Sequence, residues 1–233
     1  MQYLDFEQPI ADLEKKIEEL EGLSSVSDGV LGKEISGLKK KVEGLRENIF
    51  KNLTRWQRVQ LARHPDRPYT LDYIELICDE FVELFGDRFH ADDKAIVGGF
   101  ARIDGNPVMI IGEGASGGAI GIGMGNEVYM MENTWYSVIS PESCSSILWK
   151  TWDYKEQAAE VLKLTATDLL DLKVIDGVIP EPLGGAHRDY NASANAVKKQ
   201  ILLSLKRLSK LKPEKLIEDR IAKYSAMGAF KKA

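Results

Sequence analysis

Gly112-Glu-Gly-Ala-Ser-Gly-Gly-Ala-Ile-Gly-Ile-Gly-Met-Gly125 holds seven glycines in fourteen residues, and its reading decides the fold. Two apolar runs precede it. Ala95–Ile103 and Pro107–Ile111 flank Asp104-Gly-Asn, and Asp-Gly between such runs predicts a β-hairpin. The glycine-rich stretch therefore leaves the second hairpin strand directly.

Three chemistries fit the stretch. Gly112, Gly114 and Gly117 match a dinucleotide-binding fingerprint, and Glu132, 20 residues after Gly112, would serve as the ribose-binding acid. A hairpin leads into it, however, and Gly121, Gly123 and Gly125 would each cost roughly 1 kcal/mol in the helix that fingerprint requires. Gly114-Ala-Ser116-Gly-Gly118 also fits a nucleophile elbow. Of the three histidines, His64, His90 and His187, only His187 follows Ser116 in hydrolase order, with Asp176 available to orient it. A loop histidine making local hydrogen bonds is the plainer reading of His187. The third chemistry is an oxyanion hole. Consecutive glycines at a strand-to-helix turn let a substrate approach the backbone, and the amides of Gly117 and Gly118 would donate to a developing enolate oxygen.

Outward from the stretch, Ile10, Leu13, Ile17 and Leu20 and then Ile35, Leu38, Val42, Leu45 and Ile49 repeat at spacings of three and four. They predict an antiparallel helical hairpin over residues 10–53, turned at 24–29, with a narrow apolar stripe suited to docking on another surface. Residues 54–70, polar and containing Pro65 and Pro68, read as a connector. A helix capped by Thr70 is expected to run through Ile74, Ile77, Cys78, Phe81, Leu84 and Phe85 to Gly86. Strands are expected at 128–131 and 135–139, a helix from Pro141, a helix over 155–172, an extended piece at 174–180 and a last long helix through Leu208. The basic tail reads as frayed.

Composition narrows the function. Thirty-six acids against thirty-one bases give a net charge of −5, which argues against a nucleic-acid or polybasic membrane role. Hydrophobic residues at 44% and charged residues at 29% exclude a disordered or fibrous chain. Two cysteines, Cys78 and Cys144, exclude a disulfide framework and an all-cysteine zinc site, and they read as buried free thiols. With no signal-like N-terminus and no apolar run of roughly 20 residues, a cytoplasmic protein without a membrane span is expected.

Several longer strings carry a resemblance. Leu61-Ala-Arg-His-Pro-Asp-Arg-Pro-Tyr-Thr-Leu-Asp-Tyr73, Asp92-Asp-Lys-Ala-Ile-Val-Gly-Gly99, Ser137-Val-Ile-Ser-Pro-Glu142 and Ile179-Pro-Glu-Pro-Leu-Gly-Gly-Ala-His-Arg188 resemble the alpha subunits of bacterial-type acetyl-CoA carboxylase carboxyltransferase. The likeness begins at Leu4-Asp-Phe-Glu-Gln-Pro-Ile10 and continues almost to the end. It implies an α/β, crotonase/ClpP-like carboxyltransferase fold of repeated ββα units. It also implies a division into an N-terminal helical hairpin, residues 1–58, and a carboxyltransferase domain, residues 59–233.

The implied reaction moves a carboxyl group from carboxybiotin, on a carrier protein, to acetyl-CoA, giving malonyl-CoA for fatty-acid synthesis. Carboxybiotin would release CO2, biotin would take a proton from the acetyl methyl group, and the resulting enolate would attack the CO2. The implied partners are a beta subunit in an α2β2 assembly, the biotin carboxyl carrier protein and, indirectly, biotin carboxylase. Zinc would belong to the beta subunit, with no metal in this chain. By motif match, Gly117 and Gly118 are the catalytic amide pair, facing the biotin carbonyl, and Gly114, Ala115 and Ser116 bind substrate. A non-catalytic subunit that only binds beta is the alternative.

The chain departs from the family at one place. Val108-Met-Ile-Ile-Gly112 is the family's hairpin strand, and Gly112-Glu-Gly-Ala-Ser-Gly-Gly118 belongs after a central region of two to three strand–helix units. Here the two are fused, and roughly 60–90 residues are absent. The family's Gly/Pro-rich active-site loop falls in that region. Ala115 and Ser143 replace residues that are often glycine in the family. Losing interior strands is expected to expose edges and apolar faces and to leave the chain prone to aggregation or dependent on a partner.

Overall fold

Asp104 and Gly105 form the turn that their residue types predict. Both have positive φ, 45° and 76°, as a two-residue turn between twisted strands requires. The computed structural model describes residues 2–24, 30–85, 97–112 and 123–228. The turn joins β2 (Val97–Ile103) to β3 (Asn106–Gly112), antiparallel from Val97 opposite Gly112 to Ile103 opposite Asn106.

The first helices are α1 (Gln8–Ser24) and α2 (Val30–Lys51). Arg46 on Glu14 and Lys39 on Glu21 show that they run antiparallel. All nine apolar positions of the expected seam lie in one cluster with Phe6, Phe50, Leu53 and Leu61. The stripe is consumed by the other helix and by Leu61, so it is not left for a different surface. The turn at 25–29 lies outside the described residues.

The connector expected at 54–70 contains a helix, α3 (Arg55–Ala62). Thr54 Oγ1 accepts from the Gln57 amide at 3.1 Å, and Gln57 Oε1 accepts from the Thr54 amide at 2.8 Å. Only Val59 and Leu61 of this short polar helix are fully buried, too few to register as periodicity. The helix expected from Thr70 to Gly86 stops early, as α4 (Thr70–Ile77), with Tyr69 at its cap. Cys78 is extended (φ −92°, ψ 141°), and β1 (Glu80–Glu83) pairs antiparallel with β2. Gly99 makes this pairing possible, because a Cβ there would lie 2.6 Å from the Phe81 ring. Strand pairing overrides the helical spacing of Phe81 and its neighbours.

After Gly123 the chain forms β4 (Tyr129–Met131), α5 (Pro141–Trp149), α6 (Lys155–Leu162), α7 (Ala166–Asp171), β5 (Gly177–Ile179), α8 (Tyr190–Leu208) and α9 (Pro213–Ser225). Three expectations change here. Of 135–139, Trp135 forms one bridge with Thr165 and the Tyr136 amide donates to the Leu164 carbonyl at 3.0 Å, before the chain turns toward the Ser140 cap of α5. The helix expected over 155–172 breaks at Lys163 (φ 48°) and restarts where Thr165 caps α7. The tail read as frayed contains α9.

The described residues form a mixed α/β arrangement with two small sheets, β1-β2-β3 and a parallel β4-β5 pair. Its described apolar residues form four separate clusters. One is the hairpin with Leu61; one joins β4 and β5 to α7; one joins α3 to α6; one joins α4 and the β2–β3 hairpin to α8. A domain of this length ordinarily has one contiguous core.

The inner face of the first sheet, Ala101, Ile103 and Val108, packs toward α4 and α8. A cleft of about 540 Å³ opens beside it, lined by Tyr73, Ile74, Ile77, Val108, Ile110 and Ile201. The other face carries Val82, Phe100, Met109 and Ile111, each more than half exposed. Among the described residues β3 pairs with β2 alone, so its outer edge is open. Unpaired apolar edges invite association. We expect Met109→Lys to slow concentration-dependent aggregation, followed by light scattering, without lowering the melting temperature. An unchanged aggregation rate would place the sticky surface elsewhere.

Candidate functional site

Gly114, Ala115, Ser116, Gly117 and Gly118 lie outside the described residues, as does His90. The structure does describe the two stems of the segment that holds them. The entry stem is β3, whose last residue, Gly112, is opposite Val97. The exit stem is Gly123–Asn126. Gly123 lies close under Tyr136, whose hydroxyl would be 2.9 Å from a Cβ placed there. The Tyr224 hydroxyl points between the carbonyl oxygens of Gly123 and Gly125, 3.0 Å from the latter. Arg220 donates to Asn126 Oδ1 at 2.5 Å, and Asn126 Nδ2 donates to the Leu216 carbonyl at 2.8 Å. Asp176 Oδ2 accepts from the Val128 amide at 2.7 Å and pairs with Lys223 at 2.5 Å.

A polar hub draws four of the quoted strings together, residues 4–10, 61–73, 137–142 and 179–188. The Glu181 carboxylate is completely buried and accepts from Arg67, from the Asn133 amide and side chain, and from the Ala186 amide at 3.0 Å. Arg58 donates to Asn133 Oδ1 at 2.9 Å. Arg63 pairs with Glu142 and lies 5.1 Å from the Trp135 ring centroid. Arg188 reaches Glu7 at 3.2 Å. The long strings thus owe much of their character to mutual packing. Glu181 and Arg67 were not singled out by sequence, because charged loop residues ordinarily face solvent.

His187 is buried, and neither ring nitrogen has a hydrogen-bond partner among the described residues, so it is not the hydrogen-bonded loop histidine expected. It stacks on His64, with ring centroids 3.9 Å apart and planes 9° from parallel. Burial, then His64, Arg188 and Arg67, lower its pKa to about 4, against a small opposing pull from Asp66. Glu7, His64 and His187 place ligand-type atoms within 4.8 Å of one another. The arrangement does not suit a metal. Stacked imidazoles point their in-plane lone pairs along parallel planes, and both His64 nitrogens are engaged, Nδ1 by the Asp66 amide and Nε2 by the Gln2 carbonyl. Arg188 occupies Glu7 as well.

The competing chemistries lose their geometry. A hydrolase triad needs Asp176 on His187, but Asp176 is bound to Val128 and Lys223, and His187 accepts and donates nothing among the described residues. A dinucleotide fold needs β3 and β4 side by side in one parallel sheet. Here β3 belongs to the antiparallel sheet and β4 pairs with β5. Glu132 accepts from the Glu181 amide at 3.3 Å, so it braces a neighbouring loop.

The family described as acetyl co-enzyme A carboxylase carboxyltransferase-like matches residues 3–113 and again 108–228. The chain belongs to that family. Among curated relatives, a protein from Chlorobium phaeobacteroides (strain BS1) is 41% identical over 325 residues, covering 97% of each chain. One from Chlorobium luteolum is 43% identical over 325 residues, again 97% of each. One from Flavobacterium johnsoniae is 41% identical over 316 residues, 99% of this chain and 100% of the relative. All three bear the name acetyl-coenzyme A carboxylase carboxyl transferase subunit alpha.

The family match also locates the missing part. The first alignment spans 325 positions against 233 residues here, so at least 92 positions are empty. Val108-Met-Ile-Ile-Gly-Glu113 lies in both matches, closing the first and opening the second. The overlap falls on β3 from Val108 to Gly112.

Two outcomes test the hub. Folding lowers the His187 pKa below its ordinary value of 6.5, so the unfolded chain binds the extra proton between about pH 6.5 and about pH 4. The histidine's contribution is complete above pH 6.5 and declines as the pH falls toward 4, by on the order of 3 kcal/mol. In urea titrations across that window, His187→Phe should flatten the decline; parallel curves for both proteins would contradict the assignment. Glu181→Gln leaves Arg67 buried without its counter-charge and should cost about 3–5 kcal/mol, read as the shift in urea midpoint.

Proposed function

We propose that this chain is the alpha subunit of an acetyl-CoA carboxyltransferase, moving a carboxyl group from carboxybiotin to acetyl-CoA to give malonyl-CoA in fatty-acid synthesis. The observation that carries the reading is the paired family match meeting at residues 108–113, which keeps the glycine-rich segment and the strings on both sides of it. The named relatives supply the activity, and the retained stems supply the frame for it.

In this reading the Gly117 and Gly118 amides donate to the oxygen that gains charge on the biotin ureido group, while Gly114, Ala115 and Ser116 shape the approach of substrate. A neutral backbone donor fixed in advance stabilises that charge without reorganising when it develops. Glycine suits both positions because a side chain would hold the substrate away. The chain needs neither a metal nor a titrating side chain for this role. The second amide pair and the zinc belong to a beta subunit, in an α2β2 assembly served by a biotin carboxyl carrier protein and biotin carboxylase in the cytoplasm. The fold is crotonase/ClpP-like, with residues 1–58 as the hairpin part and 59–233 as a carboxyltransferase part lacking its centre. No described helix is long and apolar enough to cross a membrane.

The test is co-expression with a cognate beta subunit, followed by size exclusion and a malonyl-CoA decarboxylation assay. Co-elution with turnover is expected, and Gly117→Val or Gly118→Val should lower the rate by about 10²–10³ while leaving co-elution intact. Co-elution without turnover would instead make this chain a binding subunit only. Full activity in both variants would remove the amide assignment.

A further inference from the structure

We propose that α9 is a positioning clamp for the glycine-rich segment, acting through Tyr224 and Arg220 on the exit stem at Gly123–Asn126. The inference rests on the oxyanion reading of Gly117 and Gly118 and names residues that hold their segment in place.

The helix is docked by its polar side. Leu216, Arg220, Lys223 and Tyr224 are half-buried and share one face, while Ile217 and Ile221 are exposed at 55% and 62%. Hydrophobic burial therefore does not explain why α9 lies where it does. Its contacts go to one turn of chain: Tyr224 to the Gly123 and Gly125 carbonyls, Arg220 to Asn126 Oδ1, Lys223 to the Asn126 carbonyl at 3.3 Å, and the Leu216 carbonyl to Asn126 Nδ2. Lys223 also pairs with Asp176, which binds the Val128 amide at the start of β4. Side chains and backbone of α9 thus hold every residue from Gly123 to Asn126 except Met124, whose side chain is exposed.

This turn needs outside support. Gly123 and Gly125 have the widest backbone freedom of any residue type and lose the most entropy when fixed. A side chain at Gly123 would make the Tyr136 hydroxyl move, since a Cβ would lie 2.9 Å from it. Hydrogen bonds from a separate helix fix the carbonyls instead. An amide pair that stabilises developing charge loses rate steeply when displaced, on the order of 10²-fold for 1 Å, so the stem's rigidity would be felt in turnover.

The experiment combines hydrogen–deuterium exchange with kinetics on the full chain purified with its beta subunit. Tyr224→Phe keeps the ring and deletes the hydroxyl; Arg220→Met is the second variant, should the first fold poorly. Lys215→Ala, which removes only the exposed pair with Asp219, is the control. The expected result is faster exchange confined to peptides within 113–126, a kcat lower by roughly 10- to 100-fold, an almost unchanged KM and a nearly unchanged melting temperature. Unchanged exchange in that segment, acceleration spread over the whole chain, or an unchanged kcat beside faster local exchange would overturn the clamp. An inactive parent complex would instead count against the oxyanion reading, and the exchange measurement would still decide whether α9 holds the stem.

Discussion

The ladder between β2 and β3, from Val97 opposite Gly112 to Ile103 opposite Asn106, delivers the chain to the glycine-rich segment. Its geometry follows from Asp104-Gly105, whose positive φ values reverse the chain in two residues. The ladder is hydrogen-bonded on one side only among the described residues. The two family matches, residues 3–113 and 108–228, overlap on residues 108–113. One short strand, β3, carries that overlap as far as Gly112.

That economy leaves surface uncovered. The inner face of β3 meets α4 and α8, but Met109 and Ile111 look outward with Phe100 and Val82, and the apolar residues gather in four patches. Polar ties carry more of the assembly as a consequence. Arg55 holds Asp168 and Glu160 across α3, α6 and α7, and its hydrogen bonds pull the Asp168 carboxyl down to about 2. Glu181 gathers Arg67, Asn133 and Ala186, and α9 binds the exit stem through donors and acceptors. Such ties are directional and specify one arrangement, but each buried charge depends strictly on its partner.

Local patterns were legible where one physical rule acted alone. The seam of α1 and α2, the Asp-Gly turn and the proline start of α5 all follow from spacing or backbone preference. Readings failed where distant contacts decided the outcome. Phe81 joins a strand because Gly99, eighteen residues on, has no side chain. The 155–172 helix divides because Thr165 both caps α7 and bridges to Trp135. Tyr224 and Arg220 sat in a basic tail with no periodic signal, and their importance depends on a turn about a hundred residues earlier. The proposed amide pair was legible as a glycine motif. The buried Glu181–Arg67 pair and the docking of α9 were not, since a buried charge looks like a surface charge until its partner is known.

The open face of β3 and the divided core follow from the absence of the family's central positions at the Gly112 junction. The most direct measurement is thermal unfolding of this chain beside a version with the corresponding segment of the Chlorobium luteolum relative inserted at that junction. The account predicts a higher melting temperature, a single steeper transition and loss of binding to a dye that reports exposed apolar surface. An insertion that leaves all three unchanged would show that the present chain closes its own core, and would contradict the account.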